Sequence, residues 1–422
     1  MDLYTKSTIS SPTATLFKES DDFSKKNLPL IIHGQGVFIF ENKNNDKIGF
    51  SFYNKERKDG LRVELNTSNV IVTRISSNKQ LIDSSNNQGL TTAKGSYYWF
   101  NLDSQNQRLF VGIGEARLET KIYTYLFPSR DTDEWEPNKA FLEGIVEIDI
   151  QESTISPMRL LRDPITTKVP LKVRDTNLLT MDEIAQGLYL PNANLPNVAQ
   201  KLYNCVSGKK FVLDDNSFPE FSQAIEYSIA TPGCWCHETL LNKSTEFNKD
   251  KPNELETYLR ITLGENDGES PGIPYVLEVW PVGHYSPIHS HAASHAIVRV
   301  LHGSINVNLY PFLCAEKDGI APFGNADFDK DDITWITPTL NQIHQLKNLD
   351  TNKDTCITIQ CYMYDEANES HYDYFDYIDE DGKKQQYEPD SDMGFVEFKE
   401  KMRKEWKNRP KSHVFSTMVC KW

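Results

Sequence analysis

The residues best suited to chemistry are three histidines in the C-terminal half of the chain. His289 and His291 lie two residues apart in the segment GHYSPIHSH, and His344 follows in the segment QIHQLKN. Residues at i and i+2 of a strand project from the same face, so two imidazoles placed in this way could bind one ion. We expect His344 to lie on a neighbouring strand. Three imidazoles on one face favour a divalent transition metal.

The two histidine segments match the two cupin motifs, G-x5-H-x-H and H-x3-N. The cupin pattern continues with a glutamate ligand, but His295 and Ala296 occupy the positions where this glutamate would fall. A site of three neutral imidazoles leaves the full positive charge of the ion available to an anionic thiolate and to O2. The alternative is that the histidines pack or form hydrogen bonds without a metal.

The region from about residue 195 to residue 373 resembles cysteine dioxygenase, the thiol dioxygenase branch of the cupins. The similarity is strongest in the segment SPIHSHAASH and in the segment LHGSI that follows it. The resemblance implies an oxidoreductase of cysteine metabolism that holds Fe(II) on His289, His291 and His344. Its substrates would be a small thiol, with cysteine the first to test, and O2, and its product would be a sulfinate.

The resemblance also implies roles for residues other than the metal ligands. An arginine in a Tyr-x-Arg segment binds the substrate carboxylate in that family, which places Arg260 in this role with Tyr258 beside it. A guanidinium suits the role because it holds a carboxylate by two charge-assisted hydrogen bonds. Tyr362 occupies the position of the active-site tyrosine, whose hydroxyl lies near the metal and the substrate. The alternatives are an ordinary ion-paired arginine and a core tyrosine.

Two positions depart from the family pattern. Ala296 replaces the cysteine that animal members cross-link to the tyrosine, so no thioether can form. Thr358, Gln360 and Tyr362 occupy the Ser-x-His-x-Tyr positions, and a glutamine cannot change charge as a histidine can. The substrate therefore stays open, and the alternatives are a cupin oxygenase of another small acid or thiol and a binding protein with a vestigial metal site. We expect His295 to be structural, with a contact behind the ligands as the alternative.

The hydrophobic pattern predicts a mainly β chain. Apolar residues at helical spacing predict helices over 197–206 and 218–229, and from Tyr258 the period changes to two, as in YVLEVW, AIVRVL, SINVNLY and CITIQCY. We therefore expect a cupin (jelly-roll) β-barrel, preceded by short helices, over 195–375. The tail from 376 to 422 is assigned a surface helix over 395–409 and no chemistry.

The N-terminal part has a different pattern. Short alternating runs such as VFIF and LRVEL, separated by turn clusters such as NKNND, predict an antiparallel β-sandwich over 29–165. The aromatic segment YYWF and the strands after it resemble the farnesoic acid O-methyltransferase-type module, which implies a binding domain with an unknown ligand or partner. Trp99 and the tyrosines are predicted to be core, with a ligand platform as the alternative. Residues 1–28 are expected to be a flexible leader, and the proline-containing stretch 166–194 a linker or arm.

Composition narrows the class of protein. A formal net charge of -15 over 422 residues disfavours nucleic acid as a partner. We expect no membrane association, because the chain lacks a long apolar run and an apolar signal segment. Seven cysteines without regular spacing favour free thiols in the cytoplasm. The Cys234-x-Cys236 pair is expected to be structural, with half of a zinc site as the alternative.

Overall fold

The computed structural model of the protein describes residues 15–16, 27–42, 47–66, 69–81, 97–150, 155–264, 274–314, 321–364 and 374–410. The chain divides into two compact units. Unit 1 comprises Met1–Val169 and Tyr310–Phe323, and unit 2 comprises Pro170–Leu309 and Gly324–Trp422. The segment Tyr310–Phe323, which is assigned to unit 1, lies in the sequence between two strands of unit 2. The sequence pattern did not predict this arrangement.

Unit 1 is a β-sandwich with one α-helix among its described residues. Its elements in chain order are β1 (Thr15–Leu16), β2 (Asn27–Pro29), β3 (Gln35–Asn42), β4 (Ile48–Asn54), β5 (Gly60–Leu65), β6 (Val70–Arg74), β7 (Lys79–Leu81), β8 (Tyr97–Asp103), β9 (Arg108–Ile113), the 3₁₀ helix Leu118–Thr120, β10 (Lys121–Leu126), α1 (Trp135–Glu143), β11 (Ile145–Asp149) and β12 (Ile155–Leu161). The strands form two sheets, β1-β12-β3-β8-β9-β10 and β2-β11-β4-β5-β6-β7. Buried side chains from both sheets form one core, so the predicted sandwich is confirmed.

The aromatic segment of β8 lies inside unit 1. Tyr98 and Trp99 are fully buried, and the Trp99 Nε1–H donates to Oγ1 of Thr120 over 3.3 Å. Gly112 lies against the Trp99 indole so closely that a Cβ there would overlap the ring. These two aromatic side chains are therefore core, as predicted, and do not form an exposed ligand platform.

Unit 2 contains short helices followed by two sheets. Its elements are β13 (Lys172–Arg174), the 3₁₀ helix Thr176–Leu178, α2 (Met181–Gln186), β14 (Tyr189–Pro191), the 3₁₀ helix Asn192–Asn194, α3 (Asn197–Val206), α4 (Phe221–Ala230), α5 (Trp235–Asn242), the 3₁₀ helix Lys243–Thr245, β15 (Leu259–Leu263), β16 (Tyr275–Trp280), β17 (Ile288–His289), β18 (His295–His302), β19 (Ser304–Leu309), β20 (Gly324–Asp329), β21 (Ile333–Ile336), β22 (His344–Lys347), β23 (Cys356–Met363), β24 (Phe375–Ile378), β25 (Lys384–Tyr387), β26 (Met393–Gly394) and α6 (Phe395–Asn408). The sheet orders are β14-β13-β21-β18-β23-β16-β15-β26 and β20-β19-β22-β17-β24-β25.

The fold class is mainly β, as predicted. Within the described part of unit 2 the strands form two separate sheets, whose side chains line a common cavity, rather than one sheet closed on itself. The predicted helices correspond to α3 and α4, and their apolar faces are buried. The four predicted strands correspond to β16, β18, β19 and β23.

Three segment assignments need correction. Residues 166–194, predicted to be a linker or arm, contribute β13, α2 and β14 to unit 2, where β13 pairs with β21. The tail beyond residue 375 contains the predicted helix, α6, which buries Phe398 and Met402, but it also supplies β24 and β25, which extend the six-stranded sheet. Most of the predicted leader lies outside the described residues, but β1 and β2 within it pair with β12 and β11.

No helix in the described part of the chain is long and apolar enough to cross a membrane. The six described cysteines form no disulfide with one another, and Cys420 lies outside the described residues. Cys236 is fully buried with its Sγ 3.7 Å from Sδ of Met402, as expected for a structural thiol. Cys234 is only half-buried.

Candidate metal centre

The three predicted histidines come together in unit 2. His289 lies on β17, directly opposite His344 on β22 and Tyr377 on β24. His291 lies beyond the end of β17, in the loop that follows. The prediction that both histidines lie on one strand therefore holds for His289 alone. One ligand atom from each imidazole lies within 4.8 Å of those of the other two.

Hydrogen bonds to the backbone fix how two of the rings present their nitrogens. The Nδ1–H of His289 donates to the carbonyl oxygen of Pro287 over 3.0 Å. The Nδ1–H of His344 donates to the carbonyl oxygen of Asn341, also over 3.0 Å. In each ring the Nε2 atom therefore keeps its lone pair, which is the form that binds a metal.

The nitrogen positions fit a shared ion. Nε2 of His291 lies 3.1 Å from Nε2 of His344. Two nitrogen ligands of one divalent ion, each about 2.1 Å from it, lie roughly 3 Å apart when they are neighbours. Nδ1 of His291 is buried and has no hydrogen-bond partner among the described residues. A bound cation between the rings would give the facing lone pairs a common partner.

Burial keeps the triad uncharged at neutral pH. Desolvation is the largest influence on all three pKa values: it lowers the pKa of His289 to about 4 and that of His344 to about 3. The pKa of His291 is lowered as well, first by desolvation and then by His344 and His289. A metal would therefore meet neutral imidazoles and would not have to displace protons from them.

A strained turn follows the second ligand. Ala292 and Ala293 both have positive φ angles, 47° and 59°, a region that side chains other than glycine rarely adopt. Gln342, two residues before His344, clamps this turn. Its Oε1 accepts from the Ala293 N–H over 3.2 Å, and its Nε2–H donates to the carbonyl oxygen of Ser294 over 2.9 Å. The amide of Gln342 thus couples the segments that carry His291 and His344.

Replacing Gln342 by alanine should weaken metal binding by roughly 10-fold to 100-fold, because the turn that orients His291 would lose its clamp. The measurement is the metal dissociation constant by competition with a chelator. Gln385→Ala is the matched control, since Gln385 is exposed on β25 and bonds Asp379. Equal affinities in the two variants would contradict a positioning role for Gln342.

Asn348, the last residue of the second histidine motif, is buried and ties the loop before β17 to β22. Nδ2 of Asn348 donates to the carbonyl oxygens of Trp280 and Asp354 over 2.8 and 3.0 Å. Its backbone N–H donates to the carbonyl oxygen of His284, and its own carbonyl oxygen accepts from the Gly283 N–H. This side chain thus fixes the start of the loop that delivers His289.

Arg260 and Tyr362 line the same cavity as the three histidines and belong to a network that includes a carboxylate. Nη1 of Arg260 donates to Oε1 of Glu278 over 3.0 Å. Nε2 of Gln360 donates to Oε2 of Glu278, and the Tyr362 hydroxyl donates to Oε1 of Gln360. Thr358 is buried with its Oγ1 3.3 Å from Nε2 of Gln360. The sequence analysis missed Glu278, although its place in the alternating strand YVLEVW was a signal, because charged residues are rarely buried without a partner.

The histidines, Arg260 and Tyr362 line one cavity. It encloses about 940 Å³, including its open mouth. Tyr362 stacks over His291 with ring centroids 5.7 Å apart and planes at 17°. Tyr258 also lines the cavity and stacks on Trp280 at 4.1 Å. Burial, the largest influence, raises the pKa values of Tyr258 and Tyr362, so both phenols are protonated at neutral pH.

The segment assigned no chemistry also reaches the cavity. Phe375, Tyr377 and Tyr387, on β24 and β25, all line it. The Phe375 ring lies 4.8 Å from the His291 ring. The sequence pattern could not place these residues there, because they enter the site only through pairing of β17 with β24.

The remaining predicted positions lie behind the cavity. Ala296 is the direct cross-strand partner of Tyr362, so a thiol at this position would lie beside that strand. His295 is buried at the start of β18 opposite Met363 and is not one of the residues that line the cavity. We assign His295 to the packing of β18.

A buried carboxyl near the site should make the stability of unit 2 depend on pH. Desolvation first, and then Glu380 and Asp379, raise the pKa of Glu256 from 4.5 to about 7. The folded state therefore binds this proton more tightly than the unfolded state, and its contribution to stability is lost as the pH rises from about 4.5 through about 7. Glu256→Gln should accordingly stabilise the protein by about 1–2 kcal/mol at pH 8 and change little at pH 4.5.

Thermal unfolding of both proteins at the two pH values checks this expectation. Glu254→Gln, a change at an exposed position of the same loop, is the control. A stabilisation by Glu256→Gln that is the same at both pH values would exclude titration of Glu256 as the cause.

No family model matches the chain. Among solved structures it is similar to the cupin domain of Cnp3 from Schizosaccharomyces pombe, at 15% identity and a TM-score of 0.20 over 26% of this chain and 65% of that one, less than two-thirds of its length. A cupin 2 domain-containing protein from Halorhodospira halophila matches at 16% identity and a TM-score of 0.19 over 37% and 86%. The dimethylsulfoniopropionate (DMSP) lyase DddQ from Ruegeria pomeroyi matches at 16% identity and a TM-score of 0.19 over 26% and 49%. Similarities this low assign neither an activity nor a ligand to this chain.

Proposed function

We propose that unit 2 is a cupin-type, iron-dependent thiol dioxygenase that converts a small thiol and O2 to a sulfinate. The observation that carries the proposal is the convergence of three buried neutral imidazoles in a cavity that also holds Arg260 and Tyr362. No carboxylate belongs to this triad among the described residues. The triad therefore leaves the charge of a divalent ion uncompensated, which favours an anionic thiolate as a further ligand.

The residues of the chain would hold and orient the reactants. Bound Fe(II) would supply the site where thiolate and O2 meet, so that R–SH and O2 give R–SO2H with both oxygen atoms on sulfur. The His289 and His344 rings are held in the metal-binding tautomer by Pro287 and Asn341. Tyr362 and Phe375 cover His291 on the cavity side, where their rings limit the entry of water.

We further propose a cytoplasmic location, because a reducing compartment would keep the thiol substrate, and also the cysteines of the chain, in the reduced form. Unit 1 is proposed to be a binding module of the kind implied by its resemblance to the farnesoic acid O-methyltransferase-type domain. Its ligand or partner is open, and comparing the full chain with a chain that lacks residues 1–165 would show whether unit 1 changes the activity.

The test of the activity combines metal analysis with product analysis. Purified full-length protein should bind one Fe(II) per chain and, with cysteine and other small thiols, consume one O2 for each sulfinate formed. Oxygen uptake is followed with an electrode and the sulfinate by mass spectrometry. Protein that binds no iron, or that consumes O2 without forming a sulfinate, would disprove the proposed function.

A further inference from the structure

The predicted carboxylate-binding arginine is already paired within the protein. Arg260 on β15 and Glu278 on β16 are direct cross-strand partners, so their side chains project from the same face. Their side chains are only 9% and 5% exposed, and Nη1 of Arg260 lies 3.0 Å from Oε1 of Glu278. Solvent screens such a pair weakly, so the charge of Glu278 largely cancels that of Arg260 in the cavity.

The carboxylate of Glu278 also determines the orientation of its neighbours. An ionised carboxylate can only accept hydrogen bonds, so the Gln360 amide turns its NH2 group toward Oε2 of Glu278. The amide oxygen of Gln360 then faces Tyr362, whose hydroxyl proton it accepts. Burial raises the pKa of Tyr362, and the nearby positive charge of Arg260 partly opposes this rise. Both charged groups and the tyrosine are thus engaged with one another.

We propose that Glu278 determines substrate specificity: by neutralising Arg260, it makes the cavity select small thiols whose other end is uncharged over thiols that carry a carboxylate. This inference rests on the proposed thiol dioxygenase function. It differs from what the resemblance implies for Arg260, because the resemblance did not include Glu278.

The selectivity follows from desolvation. A carboxylate that enters a buried cavity loses its hydration, and this cost is recovered only if an unpaired cation receives it. Here the attraction of Arg260 is offset by the repulsion of Glu278 beside it. For an ammonium group the attraction comes from Glu278 and is offset by the repulsion of Arg260. An uncharged end pays no such penalty and contacts the aromatic side chains of Tyr258, Trp280 and Phe375, which line the cavity.

The test uses four thiols with the iron-loaded full chain. They are 2-mercaptoethanol (neutral), 3-mercaptopropionate (anionic), cysteamine (cationic) and cysteine. The wild type should show a kcat/KM for 2-mercaptoethanol about tenfold or more above those for the charged thiols. Glu278→Gln should raise the ratio of kcat/KM for the anionic thiol to kcat/KM for the neutral thiol about tenfold or more. Arg260→Gln should raise the corresponding ratio for the cationic thiol. The double variant should return to the preference for the neutral thiol.

Equilibrium binding of each thiol to the iron-loaded protein without O2 provides a second readout that does not depend on turnover. A wild type that prefers 3-mercaptopropionate or cysteine over 2-mercaptoethanol would overturn the inference and leave the dioxygenase function intact. This preference can be measured even if a variant fails to fold. A folded Glu278→Gln protein whose ratio of kcat/KM for the anionic thiol to that for the neutral thiol is unchanged would overturn the inference as well. If no thiol is oxidised, the proposed function fails, and the inference is then decided by whether Glu278→Gln binds 3-mercaptopropionate more tightly than the wild type does.

Discussion

Replacing His289 and His344 together by alanine is expected to abolish stoichiometric metal binding and to lower sulfinate formation by about a thousandfold or more. Loss of an interaction that merely orients a metal-binding histidine costs roughly 10-fold to 100-fold, and the loss of two ligands should cost more. The double variant should still fold, since alanine leaves no charged group buried at either position. Metal content by mass spectrometry and product formation with each thiol are the measurements.

His33→Ala is the matched control for this experiment, since His33 is an exposed histidine of unit 1. It should keep the metal content and the activity of the wild type. A double variant that retains one tightly bound metal per chain would show that the triad is not the metal site. Retained sulfinate formation without the triad would show that the chemistry occurs elsewhere.

Asn348→Ala is expected to destabilise unit 2 by about 3 kcal/mol, because the buried carbonyl oxygens of Trp280 and Asp354 would lose their donor. Asn348 is fully buried, and its Oδ1 also accepts from Nδ2 of Asn352 over 2.8 Å. The expected fall in the thermal midpoint is roughly 5–10 °C. Metal affinity should fall too, since the lost side chain holds Trp280, where the loop that leads to His289 begins.

Calorimetry of the metal-free and metal-loaded proteins measures both effects. Asn216→Ala is a suitable control, because Asn216 is an exposed asparagine of unit 2 and its loss should cost about 0.5 kcal/mol or less. A midpoint for Asn348→Ala that matches this control would mean that water replaces the lost donor. It would also mean that the motif asparagine has no structural role in this chain.

The candidate site could be predicted from the sequence only in part. Two histidines at i and i+2 and a third in its own motif were sufficient to identify the triad, because the motif residues lie close together in sequence. The prediction that His289 and His291 share a strand was incomplete, since the strand ends at His289 and a turn with positive φ at Ala292 and Ala293 carries the chain onward. The periodicity of hydrophobic residues along the chain does not indicate a turn of this kind when its residues are not glycine.

Glu278 was the main omission, and its cause is physical. Its role depends on the pairing of β15 with β16, which places it opposite Arg260, and on the pairing of β16 with β23, which places it opposite Thr358. Register between strands is set by the whole sheet, and the alternating pattern of one strand does not specify it. The same reason explains why Phe375 and Tyr377 were not recognised as cavity residues.

By itself the sequence determined the mainly β class of the fold, two helices and four strands of unit 2, and the identity of the three converging histidines. These follow from periodicity and short motifs, which are properties of neighbouring residues. Only the tertiary structure decided that a tail assigned no chemistry supplies part of the cavity and that Arg260 is held by a buried carboxylate. Those outcomes depend on which strands become neighbours, a choice governed by burial and hydrogen bonding across the whole unit.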